Sequence, residues 1–184
     1  MKDPNWQRER RMRVHHNPYW SVYCDEVRLE DGKIHNYHSL MSTDSVLVVP
    51  RLTSVEEENR YVLVRQYRYL QQRWSIEFPG GGSNDTEEVH KAAGRELLEE
   101  TGCQALKLDF IGTFAPCVGI MSETCHVFVA EVEFVVQPSF DDWEIGEVLM
   151  CTAKEIDQHI KDGALWSGMS ITAWTLARMM SQAV

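Results

Sequence analysis

The sequence contains no CxxC pair, and its five cysteines, Cys24, Cys103, Cys117, Cys125 and Cys151, are odd in number. That argues against a disulfide framework and offers no zinc-ligand spacing, so reduced thiols and a cytoplasmic setting are expected. No stretch reaches the roughly 18 consecutive apolar residues of a membrane span. Met1 to Arg13 is polar and basic with no apolar run behind it, so no secretory signal is read there. There is no internal repeat and no low-complexity tract. Positive charge is also scarce: 18 Lys and Arg stand against 28 Asp and Glu, a net charge of −10. This balance argues against a nucleic-acid backbone or an anionic membrane as main partner. An anionic small molecule stays compatible if divalent cations reverse the local sign.

What is present suits an ordinary globular chain. Of 184 residues, 43% are hydrophobic and 25% charged. A chain this long buries about 70% of its unfolded surface, enough for a core without disulfides or a structural metal. Residues 1–17 are charged and expected to be mobile at the start. Residues 19–30 and 33–40 read as two strands joined by Asp31-Gly32, a dipeptide suited to a tight turn. Ser45–Pro50 reads as a short apolar strand, Thr53–Arg60 as a polar loop and Tyr61–Tyr69 as a strand. Pro79-Gly80-Gly81-Gly82 breaks the chain. A helix is expected from about Thr86 to Thr101, with Asp85 and Glu88 in a capping-box arrangement and Gly102 as its stop. Leu106–Phe114 and Cys125–Val136 fit strands. Thr152 and Glu155 form a second capping-box signature, opening a helix that ends near Gly163, and a last helix fits Ser170–Ser181. The mixture is α/β. The expected division is an N-terminal strand segment, 1–44, and a larger domain, 45–184.

On the first helix Glu96, Glu99 and Glu100 stand at i, i+3 and i+4, so three carboxylates leave one face. Glu96 and Glu100 are like charges one turn apart and should cost an isolated helix about 0.2–0.5 kcal/mol. Arg95 can offset Glu99. Val89, Ala92, Ala93 and Leu97 give the helix a face to bury. A cluster of hard oxygens suits Mg²⁺ or Mn²⁺; the same charges also fit a solvated acidic face.

The wider spacing decides between these. Gly81, five residues, Glu87, seven residues, then Arg95-Glu96-Leu97-Leu98-Glu99-Glu100-Thr101-Gly102-Cys103 matches the Nudix box at seven fixed positions: Gly81, Glu87, Arg95, Glu96, Glu99, Glu100 and Gly102. Cys103 stands where an aliphatic residue is usual and serves as a small hydrophobe. The chain thus resembles a Nudix hydrolase, which implies an α/β/α sandwich with a mixed sheet, here carrying an N-terminal β-hairpin extension. The resemblance implies Glu96 and Glu100 as metal ligands, Glu99 in the metal shell and the Gly80 carbonyl as a backbone ligand. It gives Glu87 and Arg95 an orienting role. Gly81 and Gly82 are expected at a tight turn needing positive φ.

Outside the box, Leu63-Val64-Arg65-Gln66-Tyr67-Arg68-Tyr69 and Trp74-Ser75-Ile76-Glu77-Phe78-Pro79-Gly80 resemble the ADP-ribose and nucleotide-sugar pyrophosphatase branch. That likeness implies Arg65, Arg68 and Glu77 at the substrate, with Arg68 on the phosphates. Cys117-Val118-Gly119-Ile120-Met121-Ser122-Glu123 resembles a further segment of the branch and adds Met121 and Glu123, although Val118 replaces its signature proline. Asp141-Asp142-Trp143-Glu144 is similar to the family's acidic loop, in which Glu144, or else Asp142, would handle the attacking water and Glu144 would add a metal ligand. Tyr19 or Trp20 would stack on the base across a homodimer. His35, His38 and His126 read as structural.

The resulting expectation is a Mg²⁺- or Mn²⁺-dependent enzyme that splits the diphosphate of a nucleotide sugar. The alternatives are another nucleoside diphosphate derivative as substrate, or a non-catalytic ADP-ribose-binding sensor. The intact box and the strand-like first 44 residues, which leave no room for a helix-turn-helix, favour the enzyme.

Overall fold

The computed structural model describes residues 3–52, 58–84, 86–138 and 146–181. The chain divides into two compact units, residues 1–43 with 115–124 and residues 44–114 with 125–184.

The first unit is an antiparallel three-stranded sheet of β1 (Gln7–His16), β2 (Trp20–Arg28) and β3 (Ile34–Ser42), in that order. The turn between β2 and β3 forms at Asp31-Gly32. Gly32 takes φ 81°, and the Asp31 carboxylate accepts the Lys33 amide at 3.1 Å. The strand β1 adds a third strand to the expected two-stranded hairpin. Every residue of β1 is exposed, so it carries no apolar alternation. Pairing with β2 and the Arg11–Asp25 bridge hold it instead, at 2.7 and 2.6 Å. That guanidinium holds the Asp25 carboxyl below its ordinary value. The segment 115–124 joins β3 through a parallel bridge from Leu40 to Met121, and the Tyr37 hydroxyl donates to the Gly119 carbonyl at 2.9 Å.

The second unit is a seven-stranded mixed sheet between helices. Its strands are β4 (Ser45–Leu52), β5 (Arg60–Arg68), β6 (Arg73–Glu77), β7 (Gly80–Gly82), β8 (Cys103–Phe114), β9 (Cys125–Phe134) and β10 (Gly146–Thr152). The main order is β10-β5-β4-β9-β8, with β6 on β5 and β7 on β4; only the β4–β9 pairing is parallel. The helices are α1 (Val89–Thr101), α2 (Ala153–Lys161) and α3 (Gly168–Ser181).

The period-two geometry of β4 makes the sandwich. Val46 and Val48 point into the cluster with Ala92, Ala93 and Leu97 of α1. Leu47 and Val49 point the other way, onto Ile156 of α2 and Ala173, Trp174 and Ala177 of α3. Leu97 is fully buried, which is worth about 2–3 kcal/mol.

Among the described residues, no helix is long and apolar enough to cross a membrane. The capping box at Thr152 and Glu155 forms: the Thr152 amide donates to Glu155 at 2.7 Å. The one expected at Asp85 and Glu88 is replaced. Helix α1 starts at Val89 with Glu88 as an N-cap that makes no side-chain bond, and Asp85 lies outside the described residues. The reason is local. The Glu87 amide donates to the Asn84 carbonyl at 2.9 Å, and the Glu87 carboxylate bonds Arg95 at 3.1 and 3.0 Å. The C-terminal stop holds, with Gly102 at φ 71°.

Candidate active site

Strand β7 and α1 bring the box together in the second unit; Gly81 and Gly82 lie within β7 and take no positive φ, which corrects the tight turn expected there, because the glycines pair with β4. Arg95 is the hub. Its guanidinium donates to both oxygens of Glu87 at 3.1 and 3.0 Å, to Glu96 at 2.7 Å, to Glu99 at 3.0 Å and to the Gly82 carbonyl at 3.2 Å. The three carboxylates hold its pKa above the ordinary arginine value, chiefly through Glu87. In return Arg95 holds the Glu87 carboxyl below its usual range. A depressed carboxyl stabilises the fold above its unfolded pKa, about 4.3. That contribution is lost as pH falls through the lower folded value. The melting temperatures of wild type and Glu87→Gln should therefore differ at pH 7 and converge toward pH 3, as followed by circular dichroism.

Glu100 is only 9% exposed. One of its oxygens accepts the Gly80 amide at 3.0 Å and the other the Gln66 side-chain amide at 3.2 Å. Glu96 lies against Gly81 so closely that a Cβ on that glycine would stand 2.7 Å from its carboxylate carbon. The bare glycine is thus a cradle for a carboxylate, and the donors around it are all hard oxygens, the type that Mg²⁺ and Mn²⁺ take. These residues fit a divalent ion, with Glu96, Glu99, Glu100 and the Gly80 carbonyl as the groups that would hold it. Among the described residues, no group of three or more His, Cys, Asp or Glu converges on one point as a finished metal cage. The glutamates instead share Arg95, Gly80 and Gln66.

Two faces of β5 separate the expected substrate residues. Arg68 makes a bidentate bond to Glu77, at 2.7 and 2.7 Å, and Glu77 is 7% exposed. Two residues before Arg68 on the same strand, Gln66 reaches Glu100, so positions 66 and 68 share the α1 face. Arg65 alternates to the other face. It donates to Glu147 at 2.7 Å and stacks over Trp74 at 4.7 Å. Strand phase thus sets Arg65 and Arg68 on opposite faces of β5. In the first unit Tyr19 immediately precedes β2 and Trp20 opens it, and both backbone amides donate to the Asn17 side chain at 2.9 Å. Tyr19 is 74% exposed, and Trp20 packs beside His15 with ring centroids 5.2 Å apart. Met121 and Glu123 belong to the same unit. Asp142 and Glu144 lie outside the described residues. His126 bonds Asp44 at 3.2 Å, a structural pairing.

Gln66 had no place in the sequence reading, since a polar strand residue is ordinarily solvated. Its signal was phase: Val62 and Val64 precede it at period two, and both are buried.

Residues 41–171 match the family described as NUDIX domain. The ADP-ribose pyrophosphatase of Bacillus subtilis (strain 168) is 32% identical over 136 residues, 73% of this chain and 71% of that protein. The methanol dehydrogenase activator of Bacillus methanolicus is 26% identical over 154 residues, 83% of this chain and 81% of that one. A crystal structure described as an ADP compounds hydrolase superposes with a TM-score of 0.83 at 20% identity, covering 100% of this chain and 96% of the other. With the box residues assembled as described and the family match spanning most of its length, the chain belongs to the Nudix hydrolase family.

Proposed function

We propose that the protein hydrolyses the diphosphate of ADP-ribose and related nucleotide sugars, in the cytoplasm, giving a nucleoside monophosphate and a sugar phosphate. The observation that carries this reading is the Glu96–Glu99–Glu100 cluster beside Gly80 and Gly81, on the same face as Arg68. The similarity to the Bacillus subtilis ADP-ribose pyrophosphatase supports the substrate class.

Mg²⁺ or Mn²⁺ held by these carboxylates would neutralise the diphosphate and lower the pKa of a water. Arg68 would bind a phosphate oxygen, its plane set by Glu77, since a rigid fork of donors suits phosphate. Glu144 would orient the attacking water and accept its proton, with Asp142 as the second candidate. The water oxygen bonds to one phosphorus while the bond from that phosphorus to the bridging oxygen breaks. Glu144→Gln should lower kcat much more than it changes KM, since the role belongs to the transition state. A severe Asp142→Asn with a mild Glu144→Gln would reverse the ranking.

Tyr19 and Trp20 would stack on the base in a homodimer to which the N-terminal segment, 1–44, contributes. Deleting residues 1–40 should convert a dimer to a monomer in light scattering and raise KM sharply; a monomeric, fully active full-length chain would refute this. Substrate choice is tested by a panel of ADP-ribose, ADP-glucose, GDP-mannose and UDP-glucose with Mg²⁺ and with Mn²⁺. ADP-ribose should give the highest kcat/KM, and chelator should abolish all turnover.

A further inference from the structure

Strand β5 contributes Val62 and Val64 to the face that packs toward α1, and both are at most 1% exposed. The next residue in that phase is Gln66, 5% exposed. A primary amide at an apolar phase of a central strand is costly unless it is bonded. Its bond goes to Glu100 Oε1 at 3.2 Å, while the Gly80 amide takes Glu100 Oε2 at 3.0 Å. These two donors come from different strands and are both neutral. Between them they fix the plane of the carboxylate. Glu96 and Glu99 are held differently, both on the cationic Arg95. Strand register holds Gln66 between Ser75 of β6 and Gly146 of β10.

We infer that Gln66 is a positioning residue that orients Glu100 for its divalent ion. The inference rests on the reading of Glu100 as a metal ligand. A donor from a second strand keeps the carboxylate in one rotamer whether or not an ion is present. The ion then meets a ligand whose orientation is already set, and partners of this kind are worth roughly 10–100-fold in metal affinity or activity. Sheet, helix and glycine loop are thereby joined at one side chain.

The test is a double-mutant cycle on Mn²⁺ binding without substrate, read from the electron paramagnetic resonance of free Mn²⁺, with kcat and KM measured alongside. Gln66→Met keeps length and loses the donor. It should weaken Mn²⁺ binding roughly tenfold or more and lower kcat, with KM for ADP-ribose changed less than about twofold. Gln66→Asn withdraws the amide by one methylene and should weaken Mn²⁺ binding as well. On a Glu100→Gln background, Gln66→Met should add less than about twofold to the loss of Mn²⁺ affinity, because Gln66 acts on the ion only through the Glu100 carboxylate, which that background lacks. Wild-type Mn²⁺ affinity in Gln66→Met, or effects that multiply with those of Glu100→Gln, would overturn the inference and leave the proposed function standing. Unchanged Mn²⁺ affinity in Glu100→Gln itself would overturn the ligand reading, and the inference with it. Thermal melts accompany each variant. Should the methionine variant unfold, an unchanged Mn²⁺ affinity in Gln66→Asn overturns the inference.

Discussion

Glu100→Gln is expected to reduce turnover by roughly 10²-fold or more, about 3 kcal/mol in the barrier, while the protein stays folded. The side chain keeps its shape and an oxygen that can accept the Gly80 amide. Gln66 can turn its own amide to present oxygen to the new NH₂, so the buried contact survives. What disappears is one negative charge at the place where a divalent cation would be held. Substrate affinity conferred by Arg68 should change little, so the loss falls on kcat. Near-native turnover of this variant at limiting Mg²⁺ would sink the assignment of Glu100.

Two adjacent glycines should fail in different ways. A Cβ on Gly80 would fall on the backbone carbonyl oxygen of Val46 across the β4–β7 pairing. Backbone in a central strand cannot step aside, so Gly80→Ala should cost about 3 kcal/mol, roughly 6–12 °C in Tm. A Cβ on Gly81 would meet the end of the Glu96 side chain at 2.7 Å, and that end can swing away. Gly81→Ala should therefore melt within about 2 °C of wild type while losing roughly 10²-fold in rate, because a carboxylate displaced by about 1 Å no longer serves its ion. Differential scanning calorimetry beside steady-state kinetics separates the two. Equal Tm losses in both variants would contradict the claim that Glu96 is cradled by Gly81.

The box helix was legible because spacing alone places Glu96, Glu99 and Glu100 on one face and Ala92, Ala93 and Leu97 on another. The Thr152–Glu155 cap was legible for a similar reason: it depends on residues three apart. Strand β1 was not, since Gln7–His16 is exposed along its whole length and the strand exists through its pairing with β2. Short strands β6, β7 and β10 lacked a pattern of their own. Strand β7 is three glycines whose pairing with β4 is tertiary. The start of α1 was misplaced because Asp85 and Glu88 carry a capping signature, whereas the helix begins at Val89 with Glu88 as its N-cap. Arg65 and Arg68 looked alike in sequence, and strand phase sets them on opposite faces. Gln66 was marked in the sequence only by its phase with Val62 and Val64, and its bond to Glu100 is a tertiary contact.

The central claim is hydrolysis of a nucleotide-sugar diphosphate, and its most direct test is mass spectrometry of products formed from ADP-ribose and Mg²⁺ in ¹⁸O-labelled water. The account predicts AMP and ribose phosphate, with one ¹⁸O in one of the two and no product when chelator is present. Intact ADP-ribose bound tightly but never cleaved, with either Mg²⁺ or Mn²⁺, would contradict it and identify the protein as a sensor of the same ligand.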